Sequence, residues 1–558
     1  MGEYTIGLDF GTESARGVIA DTATGELLAE NSVVYPHGVL LDALPTGEKL
    51  GPEWALQHPG DYVYAVEQLV PSLLRSAGIR GDKIVGLGVD FTSCTMLPID
   101  ECGDPLCLKD PWSRRPHSWP KLWKHHAAWR EAERMTTLAV ERGEPFLRRY
   151  GGRISSEWML PKILQILHED EPIYHAADAF VEAGDWLVYT LTGRLVRNAA
   201  GAGFKGMWHG VEGFPLPEYL RALHPALGRV AETKLGGAVV PVGAAVGGLT
   251  EATAKKLGLQ AGTPVAAAVI DAFAAVPGLG VAEPGKMVLA MGTSTCHMLL
   301  SAHETFVEGM TGVVRDGIVP GYFGYEAGQA AVGDIFGWFV DHAVPAYVRD
   351  AATQANVSVF TWLERNAAAL QPGESGLVAL DWWNGNRSIL SDASLSGAVI
   401  GYTLSTRPEE VYRALLESTA FGTRVIVEQF ERAGLAVETL HVGGGIAQRN
   451  QLLMQIYADV TGKTVYVPSV PENVALGAAV FGAAARSGGG AKEVTAAIRN
   501  MARHHQTVYR PILENRVAYD QLYSLYRSAH DYFGLAQKRL MHELRLLRDE
   551  ARSRQVHD

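Results

Sequence analysis

The stretch Tyr4-Thr5-Ile6-Gly7-Leu8-Asp9-Phe10-Gly11-Thr12-Glu13-Ser14 decides how this chain is read. An apolar run ends in an aspartate, then in glycine and hydroxyl residues, which is the pattern of a buried strand closing on a tight turn. The same form returns at Lys286-Met287-Val288-Leu289-Ala290-Met291-Gly292-Thr293-Ser294-Thr295. Two such units at the heads of two halves predict a duplicated α/β architecture. The turn-forming cluster Glu283-Pro284-Gly285 marks the boundary. Length agrees: 558 residues exceed the roughly 250–300 at which a single core stops growing, so about two large domains are expected. We expect a first domain over 1–284, a second over 285–490 and a helical extension over 491–558.

Working outward, residues 18–34 read as strand, Thr24-Gly25 turn and strand. Residues 60–76 carry helical apolar spacing, and 84–89 form a buried strand that ends at Asp90-Phe91-Thr92-Ser93. The apolar window 263–282, with Asp271 at its middle and Pro277, Gly278 and Gly280 interrupting it, reads as buried strand and loop rather than a membrane span. In the second half, 408–433 is a long helix. A strand at 439–442 leads into Gly443-Gly444-Gly445, and 475–485 is a small-residue helix suited to close packing. Residues 515–552 place Tyr519, Leu522, Leu525, Tyr526, Tyr532 and Leu535 at helical spacing. That predicts a helix laid on the second domain or, alternatively, a homodimer contact.

Composition narrows the function classes. Hydrophobic residues at 47% and charged residues at 20% describe a globular chain. A net charge of −12 argues against a nucleic-acid or anionic-membrane partner, which would call for a basic face. The four cysteines, Cys94, Cys102, Cys107 and Cys296, form no CxxC pair and read as reduced thiols of a cytoplasmic protein.

Several strings carry chemistry. In Asp9-Phe10-Gly11-Thr12, turn amides can cradle a phosphate and the carboxylate can hold Mg²⁺, directly or through water. An ordinary hairpin turn would use the same residues. Gly292-Thr293 offers a second phosphate clamp, and two clamps in two domains suit a nucleotide held in a cleft. Gly444-Gly445, after a strand and before a helix, lets backbone approach a ligand. Asp271 stands among apolar residues, where a carboxylate must be partnered or used, and a general base against a sugar hydroxyl would explain it. Capping the following helix is the alternative. Lys205 and Glu326 sit among glycines and aromatics, as in carbohydrate sites.

Taken in order, these strings and the segment Glu472…Ala475-Leu476-Gly477-Ala478-Ala479 resemble the FGGY family of carbohydrate kinases, within the actin-like ATPase group, over Gly7 to about Ala485. The resemblance implies two actin-like, ribonuclease-H-like domains with a cleft between them, and ATP with Mg²⁺ as cosubstrate and cofactor. It implies Asp271 as catalytic base. Lys205, Glu326 and the backbone near Ser93 would hold the sugar. Asp9 would place Mg²⁺, Gly11, Thr12, Gly292 and Thr293 would lie at the phosphates, and Gly444, Gly445 and Asn450 at the adenosine. Within the family, Asp90-Phe91-Thr92-Ser93-Cys94-Thr95, Ser155-Ser156-Glu157-Trp158, Lys205-Gly206-Met207-Trp208 and Leu380-Asp381-Trp382-Trp383-Asn384-Gly385-Asn386-Arg387 resemble the branch that phosphorylates L-ribulose. Other members carry a W-x-D-x-R type string near the sugar, where this chain has Trp123-Lys124-His125-His126. That departure speaks against glycerol or xylulose. The alternatives are a kinase for another ketopentose such as D-ribulose, and a non-catalytic actin-like nucleotide-binding module.

Overall fold

The structure, a computed structural model, describes residues 2–470, 472–502 and 505–555. Two seven-stranded sheets organise it. In the first, the order runs Leu27–Val34, Ser14–Asp21, Tyr4–Phe10, Ile84–Phe91, Pro264–Ala266, Ala245–Gly248, with Val269–Ile270 also on Ile84–Phe91. The leading three strands are an antiparallel meander, and Tyr4–Phe10 and Ile84–Phe91 run parallel. In the second sheet, Phe323–Gln329, Thr295–Ser301 and Gly285–Met291 repeat that meander, and Val437–Gly443 and Thr464–Pro468 repeat the parallel strands. Gly312–Arg315 and Gln506–Tyr509 close its two edges.

The echo seen in the sequence is geometric. In the first turn the Gly11 N–H donates to Ser14 O at 3.0 Å, and in the second the Gly292 N–H donates to Ser294 O at 2.8 Å. The chain therefore has the duplicated α/β plan read from those two strings, the plan that the family resemblance implies.

The helix Asn473–Ala485 binds the halves together. Its residues belong to the second half, yet it lies on strands Tyr4–Phe10 and Ile84–Phe91 of the first sheet and against the helix Asp271–Gly278. Backbone meets backbone there. A Cβ on Gly7 would stand 1.9 Å from Ala475 O, and one on Gly477 would stand 1.7 Å from Ala274 O. Small residues are what this approach requires.

Two expectations change. Residues 271–278 form a helix, not a loop. It is buried on nearly every side, so no amphipathic period marks it in the sequence. The C-terminal stretch is not one helix but Leu513–Asp531, a π-turn at Tyr532–Ala536 and Lys538–Gln555, preceded by the edge strand Gln506–Tyr509. Of its named stripe, Tyr519 and Tyr526 are buried in the second-domain core with Tyr523, whereas Leu525, Tyr532 and Leu535 are exposed. Residues 556–558 of the expected extension lie outside the described residues. Among those described, no helix is long and apolar enough to cross a membrane.

Candidate active site

Both sheets deliver their polar turns from the carboxyl ends of their central parallel strands, where crevices of α/β sheets bind ligands. On the first sheet, Asp9 and Asp90 are paired in register on adjacent strands, and Val269 stands opposite Asp90 on the next. The chain then turns into the helix that begins with Asp271. Three carboxylates thus converge on one strand end.

Asp90 is fully buried, and neither of its carboxylate oxygens has a hydrogen-bond partner among the described residues. Burial pushes its pKa far above the usual carboxylate range, and Asp9 and Asp271 push it further. Asp9 is also raised by burial, against the pull of Asp90 and of Arg16, whose guanidinium stands 3.9 Å away. With both groups charged, Asp90 lacks a donor, and a proton or a cation shared with Asp9 would supply one. Burial lifts Asp271 to about 7. The Ala272 N–H, donating to Asp271 Oδ1 at 2.7 Å, and Lys205 act against this, while Asp9 and Glu326 add to it.

Lys205 and Glu326, far apart in sequence, form a buried ion pair between the halves, Nζ to Oε2 at 2.8 Å. Arg387 Nη2 donates to the other Glu326 oxygen at 2.5 Å. Burial alone would raise Glu326, but Lys205 and Arg387 outweigh it and hold the carboxylate below its usual range. Ser93 lines a small pocket with Thr92, Glu182, Asn198 and the 268–270 backbone that leads into Asp271.

The phosphate-type turns are held from outside. Gln57 Nε2 donates to Thr12 O at 2.7 Å, Trp123 Nε1 to Thr12 Oγ1 at 3.1 Å, and the Tyr35 hydroxyl to Gly11 O at 3.1 Å. Gly292 and Thr293 are exposed, and Thr293 O accepts from the Val332 N–H at 2.7 Å. Ala290 pairs with Gly443, which brings the Gly444-Gly445 turn beside the Gly292 turn. Gly444 has φ 112°, and a Cβ there would meet Met291 O at 2.1 Å. Asn450 is buried, with Oδ1 accepting from the Leu453 N–H at 2.8 Å, so it caps the helix Gln451–Thr461.

The residues named from the sequence therefore fall into two groups. Asp9, Asp271, Lys205, Glu326 and Ser93 cluster around the first strand end, and Gly292, Thr293, Gly444 and Gly445 around the second. Sequence reading passed over Asp90, Arg387, Gln57 and the Trp123 contact. Asp90 closes an apolar strand as Asp9 does, a signal that was available. Arg387 entered only as the end of a family string, with no role, and Gln57 had no signal, because their partners are distant in sequence.

Comparison with known proteins settles the lineage. The FGGY family of carbohydrate kinases matches by its N-terminal domain over residues 4–278 and by its C-terminal domain over residues 287–486. The chain belongs to this family. It is a carbohydrate kinase, an enzyme that phosphorylates a sugar with ATP. Among FGGY relatives, proteins named ribulokinase from Anoxybacillus flavithermus and Geobacillus thermodenitrificans are each 53% identical over 99% of this chain and 98% of theirs. A ribulokinase from Mycolicibacterium smegmatis is 44% identical over 99% and 98%. FGGY kinases of known structure share the fold at lower identity. A xylulose kinase from Rhodospirillum rubrum superposes with TM-score 0.78 at 22% identity, covering 97% of this chain and all of that one.

Proposed function

We propose that this kinase transfers the γ-phosphoryl group of ATP to the terminal hydroxyl of L-ribulose, forming L-ribulose 5-phosphate and ADP, with Asp271 as general base. The observation that carries this reading is the position of Asp271. It is a half-buried carboxylate, its pKa raised to about 7, that feels Asp9 beside the first turn and both members of the Lys205–Glu326 pair. A base poised near neutral pH gives the best product of correct ionisation and proton-transfer drive. The ribulokinase relatives support the choice of sugar.

In this reading the sugar sits on residues 1–284, held by Lys205, Glu326 and the Ser93 backbone. The nucleotide lies on residues 285–490, its phosphates between the Gly11-Thr12 and Gly292-Thr293 turns and its adenosine at Gly444-Gly445 near Asn450. Residues 491–558 extend the second unit. Asp271 takes the proton of the sugar hydroxyl as its oxygen bonds to the γ-phosphorus. The bond from that phosphorus to the β–γ bridging oxygen breaks, and ADP leaves. The residues also suit a divalent cation: Asp90 has two buried oxygens without partners beside Asp9, and oxygen donors are what Mg²⁺ prefers. Asp9 and Asp90 would hold Mg²⁺, directly or through water. When bound, the ion would offset the charge of the β- and γ-phosphates. Lys205, Glu326 and Arg387 position the sugar and keep the closed halves in register, which supplies much of what phosphoryl transfer asks of a protein.

The test is ADP release with ATP and Mg²⁺ against L-ribulose, D-ribulose, D-xylulose, L-xylulose and glycerol. Preference for L-ribulose is expected. Preference for D-ribulose would move the assignment to another ketopentose, and ATP hydrolysis indifferent to all five would overturn it.

A further inference from the structure

Glu182 is a buried carboxyl with no partner in the fold. The strand Ala179–Glu182 pairs with Met96–Ile99, with Glu182 opposite Met96. The next N–H, that of Ala183, donates to Thr95 O at 2.7 Å. This register ties Glu182 to the loop that carries Ser93. The residue lines the small pocket that Ser93 shares with Asn198 and with 268–270, the segment leading into Asp271. Gly201 leaves it room, since a Cβ there would stand 3.0 Å from Glu182 Cγ. Glu182 is 6% exposed, and its Oε1 is buried with no hydrogen-bond partner among the described residues.

The charged groups around it are committed elsewhere. Lys162, on the helix Met159–Glu169, donates to Cys94 O at 2.6 Å, Leu122 O at 2.9 Å and Lys121 O at 3.4 Å, which uses its three N–H groups. Lys205 is paired with Glu326. Arg197 donates to the carbonyls of Gly236, Phe180 and Lys234, and Asp185 accepts from Asn198 Nδ2. Burial raises the Glu182 pKa above the ordinary carboxylate range. Lys162 pulls hardest against this, Lys205 and Arg197 pull with it, and Asp185 adds to the rise. A protonated carboxyl donates one hydrogen bond and accepts others, which is what a sugar hydroxyl needs from its site. A buried carboxyl oxygen that no protein group satisfies is costly unless a ligand uses it. Given the sugar at Ser93 and Asp271 proposed above, we infer that Glu182 is a further sugar contact: it hydrogen-bonds one hydroxyl of the ketose other than the one that Asp271 deprotonates, and so helps to select the sugar. A site built to pair a hydroxyl rejects analogues that lack it, because its own polar group is then left unpaired.

The experiment is steady-state kinetics of the full chain at saturating ATP, with L-ribulose and its 1-deoxy, 3-deoxy and 4-deoxy analogues, for wild type, Glu182→Ala and Glu182→Gln. Thermal unfolding is the control for folding. Glu182→Ala is expected to raise the L-ribulose KM by about tenfold to a hundredfold, with the KM for ATP within about twofold of wild type. Glu182→Gln, which keeps a neutral donor and acceptor, is expected to recover most of that loss. One deoxy sugar is expected to be poorer for wild type by a similar factor and no poorer for Glu182→Ala than L-ribulose is, which is the coupling of a direct contact. If wild type prefers D-ribulose, the same comparison on that sugar and its deoxy forms reads the role of Glu182 separately from the identity of the sugar. An unchanged sugar KM in Glu182→Ala would overturn the inference while leaving the kinase reading intact. So would a Glu182→Gln as impaired and as thermally weakened as Glu182→Ala, or deoxy sugars that lose equally in wild type and variant. ATP hydrolysis by wild type that no sugar alters would overturn both.

Discussion

At the scale of the residue, Asp271 joins function to instability. Burial, which penalises the charge, lifts its carboxyl to about 7 in the folded chain from an ordinary 3.8. If it is the base, its ionised form is the active one. The acid limb of the kcat/KM profile is then expected to rise through about pH 7. Asp271→Asn is expected to lower kcat by about 10²–10⁴-fold while leaving the KM for ATP within a small factor; steady-state kinetics across pH check both. Stability runs the other way. Between pH 4 and 7 the folded state holds a proton that the unfolded state has released, so this residue's contribution is present at low pH and lost as pH rises through 7. The Asn variant has no such slope. At pH 8, without ligands, its Tm is expected to exceed wild type by about 1–3 °C, and a lower Tm would contradict the burial argument.

At the scale of the element, the helix Asn473–Ala485 backs the helix that begins at Asp271. Gly477 presses on Ala274 O, three residues beyond Asp271 on the helix Asp271–Gly278. Gly477→Ala forces those two helices apart. A stability loss of about 3 kcal/mol in urea unfolding is expected, together with a fall in kcat that ATP saturation does not repair. Much at this scale was legible in the sequence. The small residues of 475–485 announced close packing, and the turns after Phe10 and Met291 announced paired strand ends. The helix beginning at Asp271 was legible only as the alternative in which Asp271 caps it, because an element buried on most sides shows little polar face and therefore no clear period.

At the scale of the molecule, the Lys205–Glu326–Arg387 cluster is where the two halves share charge. Lys205 is on the first half, Glu326 and Arg387 are on the second, and the contacts between them are buried. Removing the carboxylate leaves the buried Lys205 ammonium facing the partly exposed Arg387 guanidinium with no counter-charge between them. Glu326→Ala is therefore expected to cost about 3–5 kcal/mol of stability, and Glu326→Gln less. Both are expected to raise the sugar KM more than they lower kcat if, as proposed, the cluster holds the sugar and Asp271 takes the proton. Thermal unfolding and a KM–kcat comparison together test this.

What the sequence by itself determined was local and repeated: two strand-turn units, their carboxylate and glycine chemistry, an Asp271 set among apolar residues, and a family resemblance that the comparisons bear out. These are legible because backbone turns and burial leave their mark on adjacent residues. Tertiary structure alone decided which distant groups meet. Asp90 becomes an unpartnered carboxylate only once strand Ile84–Phe91 lies in register with Tyr4–Phe10. Arg387 reaches Glu326, and Trp123 reaches Thr12, only once the segments that carry them have packed against the strand and turn that hold their partners. Asn450, read as a nucleotide contact, also caps a helix, a use visible only when the Leu453 N–H is in place. Side-chain contacts between residues many tens of positions apart carry no sequence period, so they appear only when the chain has packed.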